Sequence, residues 1–301
     1  MTLTVGVFGL SGPVLIARSR GLFERHGVEV VFDQVTSSDQ QFQDLASGRY
    51  QLVVTAFDNI VSYASNAGNA VGRKLDVIAP VAFDAGMNLS LIGNGVASIA
   101  ELRGKTLAVD AEHTGFAFVL YELLSRAGLS RGTDYELVRH GGVFHRYQRI
   151  LAGESAGTLL SNGFEALAEL SGLSVLGTSD DVVRPYLGAV LGAERGWYEE
   201  HGRDASAFVA AYEEALAISL DPANREEIVG AIGAARGASP EQAEAIWAGE
   251  RGPRGLLPTT AIDVEAARNV IALRLANDGF ESTDGLDADE LIERLTLGAA
   301  G

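Results

Sequence analysis

Residues Lys105 to Leu129, KTLAVDAEHTGFAFVLYELLSRAGL, combine an apolar strand, a polar turn and an amphipathic helix in one run. Leu107 to Val109 form the strand, and apolar residues then recur at helical spacing from Phe116 to Leu124. Thr114 is the candidate N-cap of this helix, so the first backbone N–H groups after it would point out of the turn. Such a helix end attracts anionic or polar ligand groups, although an ordinary strand-to-helix connection has the same pattern.

Similar junctions occur earlier in the chain. Residues 3–7, 28–35 and 50–55 have strand patterns, and each is followed by a polar turn and a helix pattern. Three such units within the first 80 residues predict a parallel, doubly wound sheet, whose ligands bind beyond the carboxyl ends of its strands. The turns at that edge are Gly9 to Ser11, Thr36 to Ser38 and Thr55 to Asn59.

A second series of strand, turn and helix patterns starts at Leu107 and continues through Tyr135 to His140 and Gly157 to Ser161. We therefore predict an α/β fold of two lobes, the first formed by residues 1–84 and 192–301 and the second by residues 85–191. Alanine-rich amphipathic segments after Asp204 predict a helical C-terminal third packed on the first lobe. Two lobes joined by two crossings leave a cleft, which is a common small-molecule site that closes by a hinge motion.

Composition excludes several classes of function. The net charge of −17 and the pI near 4.7 argue against nucleic acid or an anionic membrane as partners. The chain has no cysteine, which excludes disulfides and thiol nucleophiles, and it has no run of 18 apolar residues, so no transmembrane segment is predicted. The first residues, MTLTVGVFGLSGP, enter a strand without a signal-peptide pattern. We expect either a cytosolic protein or a periplasmic or other extracytoplasmic one whose export signal has been removed.

Several stretches resemble a known family in their order and spacing. They are PVLIARSRGLFERHGVEVV (13–31), GRYQLVVTAFDN (48–59), IAELRGKTLAVD (99–110) and ELVRHGG (136–142). The chain resembles, over roughly residues 3–220, the solute-binding proteins of ABC importers for aliphatic sulfonates, nitrate, taurine and thiamine-pyrimidine precursors. The resemblance implies a type II periplasmic-binding-protein fold, a ligand in the cleft and an ABC-importer permease as partner. The export signal and the lipoprotein cysteine common in that family are missing.

The resemblance also implies which turns contact the ligand. The predicted ligand-binding residues are Leu10, Ser11, Ser37, Ser38, Thr55, Phe57, Asp58, Asn59, Glu112, His113, Thr114, Gly115, Phe116, Gly141, Gly142, Phe144, His145, Asn162 and Phe164. The phenylalanines among them would either stack on a planar ligand or pack the loops onto each lobe. Asp58 and Glu165 would either bind an amine or, as we expect, lie at helix N-termini.

The same fold also occurs in cytosolic enzymes, including decarboxylases, desulfinases and the pyrimidine synthase of thiamine biosynthesis. As an alternative to ligand transport, His113 and His140 would act as acid and base, oriented by Asp110. The cysteines used by the desulfinase and the pyrimidine synthase are absent here. No HxH or HExxH pair and no phosphate-binding glycine motif occurs, so neither a metal nor a nucleotide cofactor is expected. The predicted function is therefore binding of a small organic ligand, anionic or aromatic, with a decarboxylase, lyase or hydrolase-like enzyme as the alternative.

Overall fold

The computed structural model describes residues 2–86 and 88–297, which form two five-stranded sheets. The strands of the first sheet are β1 (Thr2–Val7), β2 (Glu29–Gln34), β3 (Leu52–Ala56), β4 (Val77–Ala82) and β10 (Ala189–Glu194), in the order β2-β1-β3-β10-β4. The strands of the second are β5 (Ser90–Gly93), β6 (Lys105–Val109), β7 (Tyr135–Arg139), β8 (Gly157–Leu160) and β9 (Ser174–Thr178), in the order β7-β6-β8-β5-β9. The predicted two-lobed α/β fold is confirmed.

Each sheet mixes parallel and antiparallel pairing. β1 is parallel to β2 and β3, and β6 is parallel to β7 and β8, as the repeated strand-turn-helix pattern predicts. β10 runs antiparallel to β3 and β4, and β5 runs antiparallel to β8 and β9. β9 was not predicted. The predicted lobe boundary after residue 191 falls inside β10, which belongs wholly to the first sheet. We therefore propose that the second lobe ends before Ala189, at the start of β10.

The helices cover both sheets and form the C-terminal third. They are α1 (Gly12–Ser19), α2 (Leu22–Arg25), α3 (Ser38–Ala46), α4 (Phe57–Ser65), α5 (Gly115–Arg126), α6 (Val143–Leu151), α7 (Phe164–Leu170), α8 (Arg195–Glu200), α9 (Gly202–Leu220), α10 (Arg225–Arg236), α11 (Pro240–Glu250), α12 (Val264–Ala276) and α13 (Ala288–Leu295). None of them, within the part of the chain that the structure describes, combines the length and the apolar character that a membrane crossing requires.

The C-terminal helices pack on the first lobe, as predicted, but they also contact the second. α9 packs on α1 and α2, and α13 packs on β4. In contrast, α11 packs on α7, and α12 contacts both α4 and α5. One buried apolar cluster contains Ile60 of α4, Ile271 of α12 and Phe118 of α5. The apolar core is therefore continuous across the two lobes.

The two chain crossings between the lobes meet at Asp84 and Gly188. One Asp84 carboxylate oxygen accepts hydrogen bonds from the backbone N–H groups of Gly86 (2.8 Å) and Ala189 (3.0 Å). The Asp84 carbonyl accepts a hydrogen bond from the Gly188 N–H at 3.0 Å. A Cβ atom on residue 188 would overlap with the Asp84 carboxylate and with the Gly86 backbone, so only glycine lets the two crossings approach this closely.

We expect Gly188→Ala to lower the free energy of unfolding by about 3 kcal/mol or more, because the overlap involves backbone atoms that cannot move aside. The matched control is Gly196→Ala in α8, where an added Cβ atom would meet no atom within 4 Å. The control should change the free energy of unfolding by less than about 1 kcal/mol. Urea unfolding of both variants measures the difference, and equal stability of the two would contradict the steric role of Gly188.

Candidate functional site

A cavity of about 120 Å³, here called the inner cavity, lies between the carboxyl ends of the two sheets. The first lobe contributes residues at the ends of β1 and β3, and the second lobe contributes residues that follow β6 and β8. The principal lining side chains are Phe8, Thr55, Asn59, Asp110, Thr114, Phe116, Arg146, Ser161 and Asn162. The inner cavity thus occupies the sheet edge at which the sequence places its polar turns.

Hydrogen bonds orient the polar side chains of this wall. The Thr55 hydroxyl, near the end of β3, accepts a hydrogen bond at 2.9 Å from the side-chain amide of Asn59 in the first turn of α4. The Ser161 hydroxyl accepts one from the Asn162 side-chain amide at 3.2 Å. Asn162 has a left-handed backbone with φ of 58°. The amides are therefore oriented before any ligand arrives.

Arg146 is a buried cation in the cavity wall that the sequence analysis missed. The Arg146 Nη1 group donates to the Gly141 carbonyl at 2.7 Å, and Nε and Nη2 donate to the Leu159 carbonyl at 3.4 and 3.2 Å. Burial lowers the pKa of the Arg146 guanidinium, and the nearby Asp110 carboxyl opposes this shift. Val143 and Arg146 lie three residues apart in α6 and line the same cavity, so helical spacing from the predicted turn at Gly142 would have identified Arg146.

Asp110 is a partly buried acid in the lining of the inner cavity, to which Asp84 also belongs. The Asp110 Oδ1 atom is buried without a hydrogen-bond partner among the described residues. Burial raises the pKa of Asp110, while the charges of Arg146 and Arg139 oppose the rise. An orphaned buried carboxyl oxygen is costly unless a ligand or water satisfies it, so Asp110 is equipped to exchange a hydrogen bond with a guest molecule.

The first N–H group of α5 is already bonded within the chain, which the sequence does not predict. Thr114 is the N-cap, as predicted, and its hydroxyl accepts a hydrogen bond from the Ala117 N–H at 3.4 Å. The Gly115 N–H, however, donates to the Asp58 carboxylate at 2.6 Å. Asp58 also forms a two-point ion pair with Arg274 of α12, at 2.8 Å to Nε and 2.7 Å to Nη2. A carboxylate of the chain itself occupies the expected anion position.

The N-terminus of α1 is occupied in the same way. The Glu250 carboxylate accepts a hydrogen bond from the Gly12 N–H, with distances of 2.9 and 3.2 Å to its two oxygens. Burial raises the pKa of Glu250 to about 7, although the hydrogen bond from Gly12 and the charge of Arg236 oppose the rise. Burial likewise raises the pKa of Glu165, in the first turn of α7, to about 7, and its Oε2 atom has no hydrogen-bond partner among the described residues.

Two larger grooves open beside the inner cavity. The polar groove, of about 690 Å³, includes Ser38, Asn59, Glu112, His113, Thr114 and Arg139. The aromatic groove, of about 590 Å³, includes Phe8, Phe32, Phe144, Tyr147 and Phe164 together with Arg18 and Arg236. The polar groove shares Asn59 and Thr114 with the inner cavity, and the aromatic groove shares Phe8 and Gly9 with it. The inner cavity is therefore adjacent to both grooves.

The predicted ligand-binding residues are distributed over these spaces. The inner cavity includes Thr55, Asn59, Thr114, Gly115, Phe116, Gly142 and Asn162; the polar groove includes Ser38, Glu112 and His113; and the aromatic groove includes Leu10, Phe144 and Phe164. His145 lines a smaller cavity of about 290 Å³ beside Phe144.

The remaining predicted positions line none of these four cavities, for structural reasons. Ser37 is the N-cap of α3 and accepts a hydrogen bond from the Gln40 N–H, and Ser11 is at the N-cap position of α1. Phe57 is fully buried in the core, Asp58 is paired with Arg274, and the Gly141 carbonyl accepts a hydrogen bond from Arg146.

The three residues predicted for the enzyme alternative are dispersed. Asp110 lines the inner cavity, and His113 is an exposed residue of the polar groove. His140 is buried and lines none of the four cavities. Burial and the charge of Arg149 lower the pKa of His140, which favours its neutral form. Among the described residues, no group of three or more histidine, aspartate or glutamate side chains is arranged to hold a metal ion.

The chain is similar in sequence to a known protein family. Residues 11–225 match the family model described as NMT1/THI5-like. No curated protein sequence matches the chain.

Many solved structures share the fold. The alkanesulfonate-binding protein SsuA from Xanthomonas axonopodis pv. citri, bound to MOPS, has a TM-score of 0.72 and 17% identity over 99% of this chain and 97% of its own. The periplasmic nitrate-binding protein NrtA from Synechocystis has a TM-score of 0.77 and 13% identity over 98% of this chain and 85% of its own. A ligand-binding component of an ABC-type import system from Staphylococcus aureus has a TM-score of 0.75 and 14% identity over 98% and 99%. At these identities the likeness shows the shared fold.

The raised pKa values of Glu250 and Glu165 predict how stability depends on pH. Because each folded-state pKa of about 7 exceeds the unfolded value of about 4.3, the native state binds these protons more tightly than the unfolded chain does. Their contribution to the free energy of unfolding is therefore fully present below about pH 4.3 and is lost as the pH rises to about 7, by about 3 kcal/mol for each group.

Urea unfolding at pH 5 and pH 8 tests this dependence. The Glu250→Gln variant keeps an acceptor for the Gly12 N–H and should lose the share of the pH dependence that Glu250 supplies. Glu241→Gln, at an exposed position of the same helix, is the control and should behave as the unchanged protein does. Identical pH slopes in the two variants would rule out the titration of Glu250.

Proposed function

We propose, from the premise that the chain belongs to the NMT1/THI5-like family, that it is a substrate-binding protein that holds a small organic molecule in the inner cavity. The observation that carries this proposal is Arg146, a buried cation in the cavity wall. Its guanidinium uses three of its five N–H groups on backbone carbonyls and forms no ion pair with a described carboxylate. A buried arginine held by neutral acceptors is suited to take a ligand oxygen as its remaining partner.

Asp110 adds a second polar contact to the same ligand. Its unpartnered Oδ1 atom accepts a hydrogen bond from a ligand N–H or O–H group when Asp110 is ionised, and the protonated carboxyl donates one when it is not. The ligand head group that suits the cavity therefore combines an acceptor for Arg146 with a polar group for Asp110. Thr55, Asn59 and Ser161 offer further donors and acceptors around it.

The aromatic groove is suited to a planar, apolar part of the same ligand. Phe164 contacts Phe144 and Tyr147 with ring centroids 5.9 and 5.3 Å apart, and the Arg236 guanidinium lies 5.3 Å from the Phe164 ring centre. Phe144 is 43% exposed, so it has ring surface to offer. Although the chain carries a net charge of −17, the described residues that line the groove include Arg18 and Arg236 and no carboxylate. An aromatic ring bearing an acidic or otherwise electron-rich group fits this chemistry.

We propose the permease of an ABC importer as the partner. The support is the family membership and the fold shared with the Staphylococcus aureus import component. The enzyme alternative has no comparable support, because Asp110, His113 and His140 line no common cavity among the four described.

Arg146→Ala tests the proposed function. We expect the compound that copurifies with the protein, identified by native mass spectrometry, to bind at least about 10-fold more weakly to the variant, because a charge-assisted hydrogen bond is lost. The control is Arg149→Ala, in the same helix, whose partner is the exposed Glu154. Equal retention of the compound by both variants would contradict a ligand at Arg146.

Phe144→Ala tests the aromatic groove separately. In a thermal-shift titration with benzoate, 4-hydroxybenzoate and benzenesulfonate, we expect at least one of these probes to stabilise the unchanged protein, and the variant to bind it about 5-fold more weakly, since ring stacking of this kind contributes about 1 kcal/mol. Leu151→Ala, which removes another exposed apolar side chain from α6, is the control. The groove has no such role if none of the probes binds, or if the two variants respond alike.

A further inference from the structure

The carboxylate of Asp58 occupies the position at which an external anion would meet the N-terminus of α5. Asp58 belongs to α4 in the first lobe, and the Gly115 N–H that it accepts at 2.6 Å begins a helix of the second lobe. A Cβ atom on residue 115 would lie 2.7 Å from the Asp58 Cβ atom, so glycine is needed there for the approach. The fit between the two lobes at this point is thus specific to the Asp58 side chain.

Arg274 completes the contact. Its guanidinium forms two hydrogen bonds with the Asp58 carboxylate, and both side chains are 1% exposed. The Nη2 group also donates to the His113 carbonyl at 3.2 Å, and the guanidinium lies 5.1 Å from the centre of the Phe118 ring in α5. Arg274 therefore contacts the second lobe through a carbonyl and a ring while it neutralises a carboxylate of the first lobe.

We propose that Asp58 is a built-in anionic ligand that determines the specificity of the cleft. Its carboxylate excludes small oxyanions from the α5 N-terminus, and it links the two lobes through the Gly115 N–H group. The effect on ligand specificity rests on the proposed function, in which the hydrogen-bond acceptor of the ligand binds Arg146 and not the N-terminus of α5. The link between the lobes is independent of any natural ligand.

Removing the carboxylate should create the site that it now fills. Asp58→Ala leaves the Gly115 N–H and the Arg274 guanidinium facing a space of carboxylate size, so formate and nitrate are the probes. In a thermal-shift titration against chloride at equal ionic strength, we expect formate to raise the melting temperature of this variant by about 2–4 °C and to leave the unchanged protein unaffected.

Two controls separate this effect from a general salt effect. Asp58→Asn keeps the space filled by an amide, so formate should not stabilise it. Asp263→Ala removes an exposed carboxylate that caps α12 without an arginine partner, and formate should not stabilise that variant either. A folded Asp58→Ala protein that formate and chloride affect alike would overturn the proposal, and so would formate binding of equal strength to the unchanged protein.

Asp58→Asn also supplies a readout if Asp58→Ala does not fold. We expect hydrogen exchange of the Gly115 amide to become at least about 10-fold faster in Asp58→Asn, because the charge that holds it is gone. Unchanged protection of Gly115 in that variant would overturn the link between the lobes. These experiments use no natural ligand, so their failure is distinguishable from a failure of Arg146 to bind one.

Discussion

The arrangement of the two lobes depends on one buried contact, in which Asp58 joins Arg274 to the first N–H group of α5. An isolated buried carboxylate would be costly, but this one receives two hydrogen bonds from a guanidinium and one from a helix N-terminus. Removing either partner would leave the other charge buried and unpaired, which is the situation that typically costs several kcal/mol. The pair therefore fixes geometry more than it adds net stability. It joins α4, α12 and α5, and Asn59 of α4 and Gly115 of α5 line the inner cavity.

Glu250 accepts a hydrogen bond from the first N–H group of α1, just as Asp58 does from that of α5, but without an arginine ion pair among the described residues. Both helices begin with a glycine that a carboxylate approaches closely, Gly12 for Glu250 and Gly115 for Asp58. Glu250 forms no ion pair with a described cation, and its burial raises its pKa to about 7, so at neutral pH it is divided between its ionised and neutral forms. The carboxylate at α5 has an arginine partner, Arg274, whereas the contact at α1 is coupled to a proton on Glu250.

Much of the fold follows from local sequence patterns, and the contacts that define the site do not. Alternating and helical periodicities predict the parallel strands β1 to β3 and β6 to β8, and the Thr114 cap follows from a residue type at a strand-to-helix junction. β9 was missed because its residues, Ser174–Thr178, are half exposed and alternate little. Asp58 and Arg274 are 216 residues apart, and Arg274 lies in an alanine-rich helix outside the family resemblance. No periodicity relates such distant positions. The sequence alone could therefore place Asp58 in a cleft loop, but it could not show that Asp58 pairs with an arginine of the same chain and not with a ligand.

The occupied helix ends change what the cleft can select. With the first N–H groups of α1 and α5 bonded to Glu250 and Asp58, the inner cavity retains Arg146 as its buried cation, oriented by the Gly141 and Leu159 carbonyls. An oxyanion bound at Arg146 would add a like charge near Asp110, whose pKa burial already raises. Binding of a full negative charge there would therefore favour proton uptake by Asp110, whereas a neutral acceptor would not. We therefore propose that Arg146 together with the cavity carboxylates, Asp84 and Asp110, determines the charge that the cavity accepts.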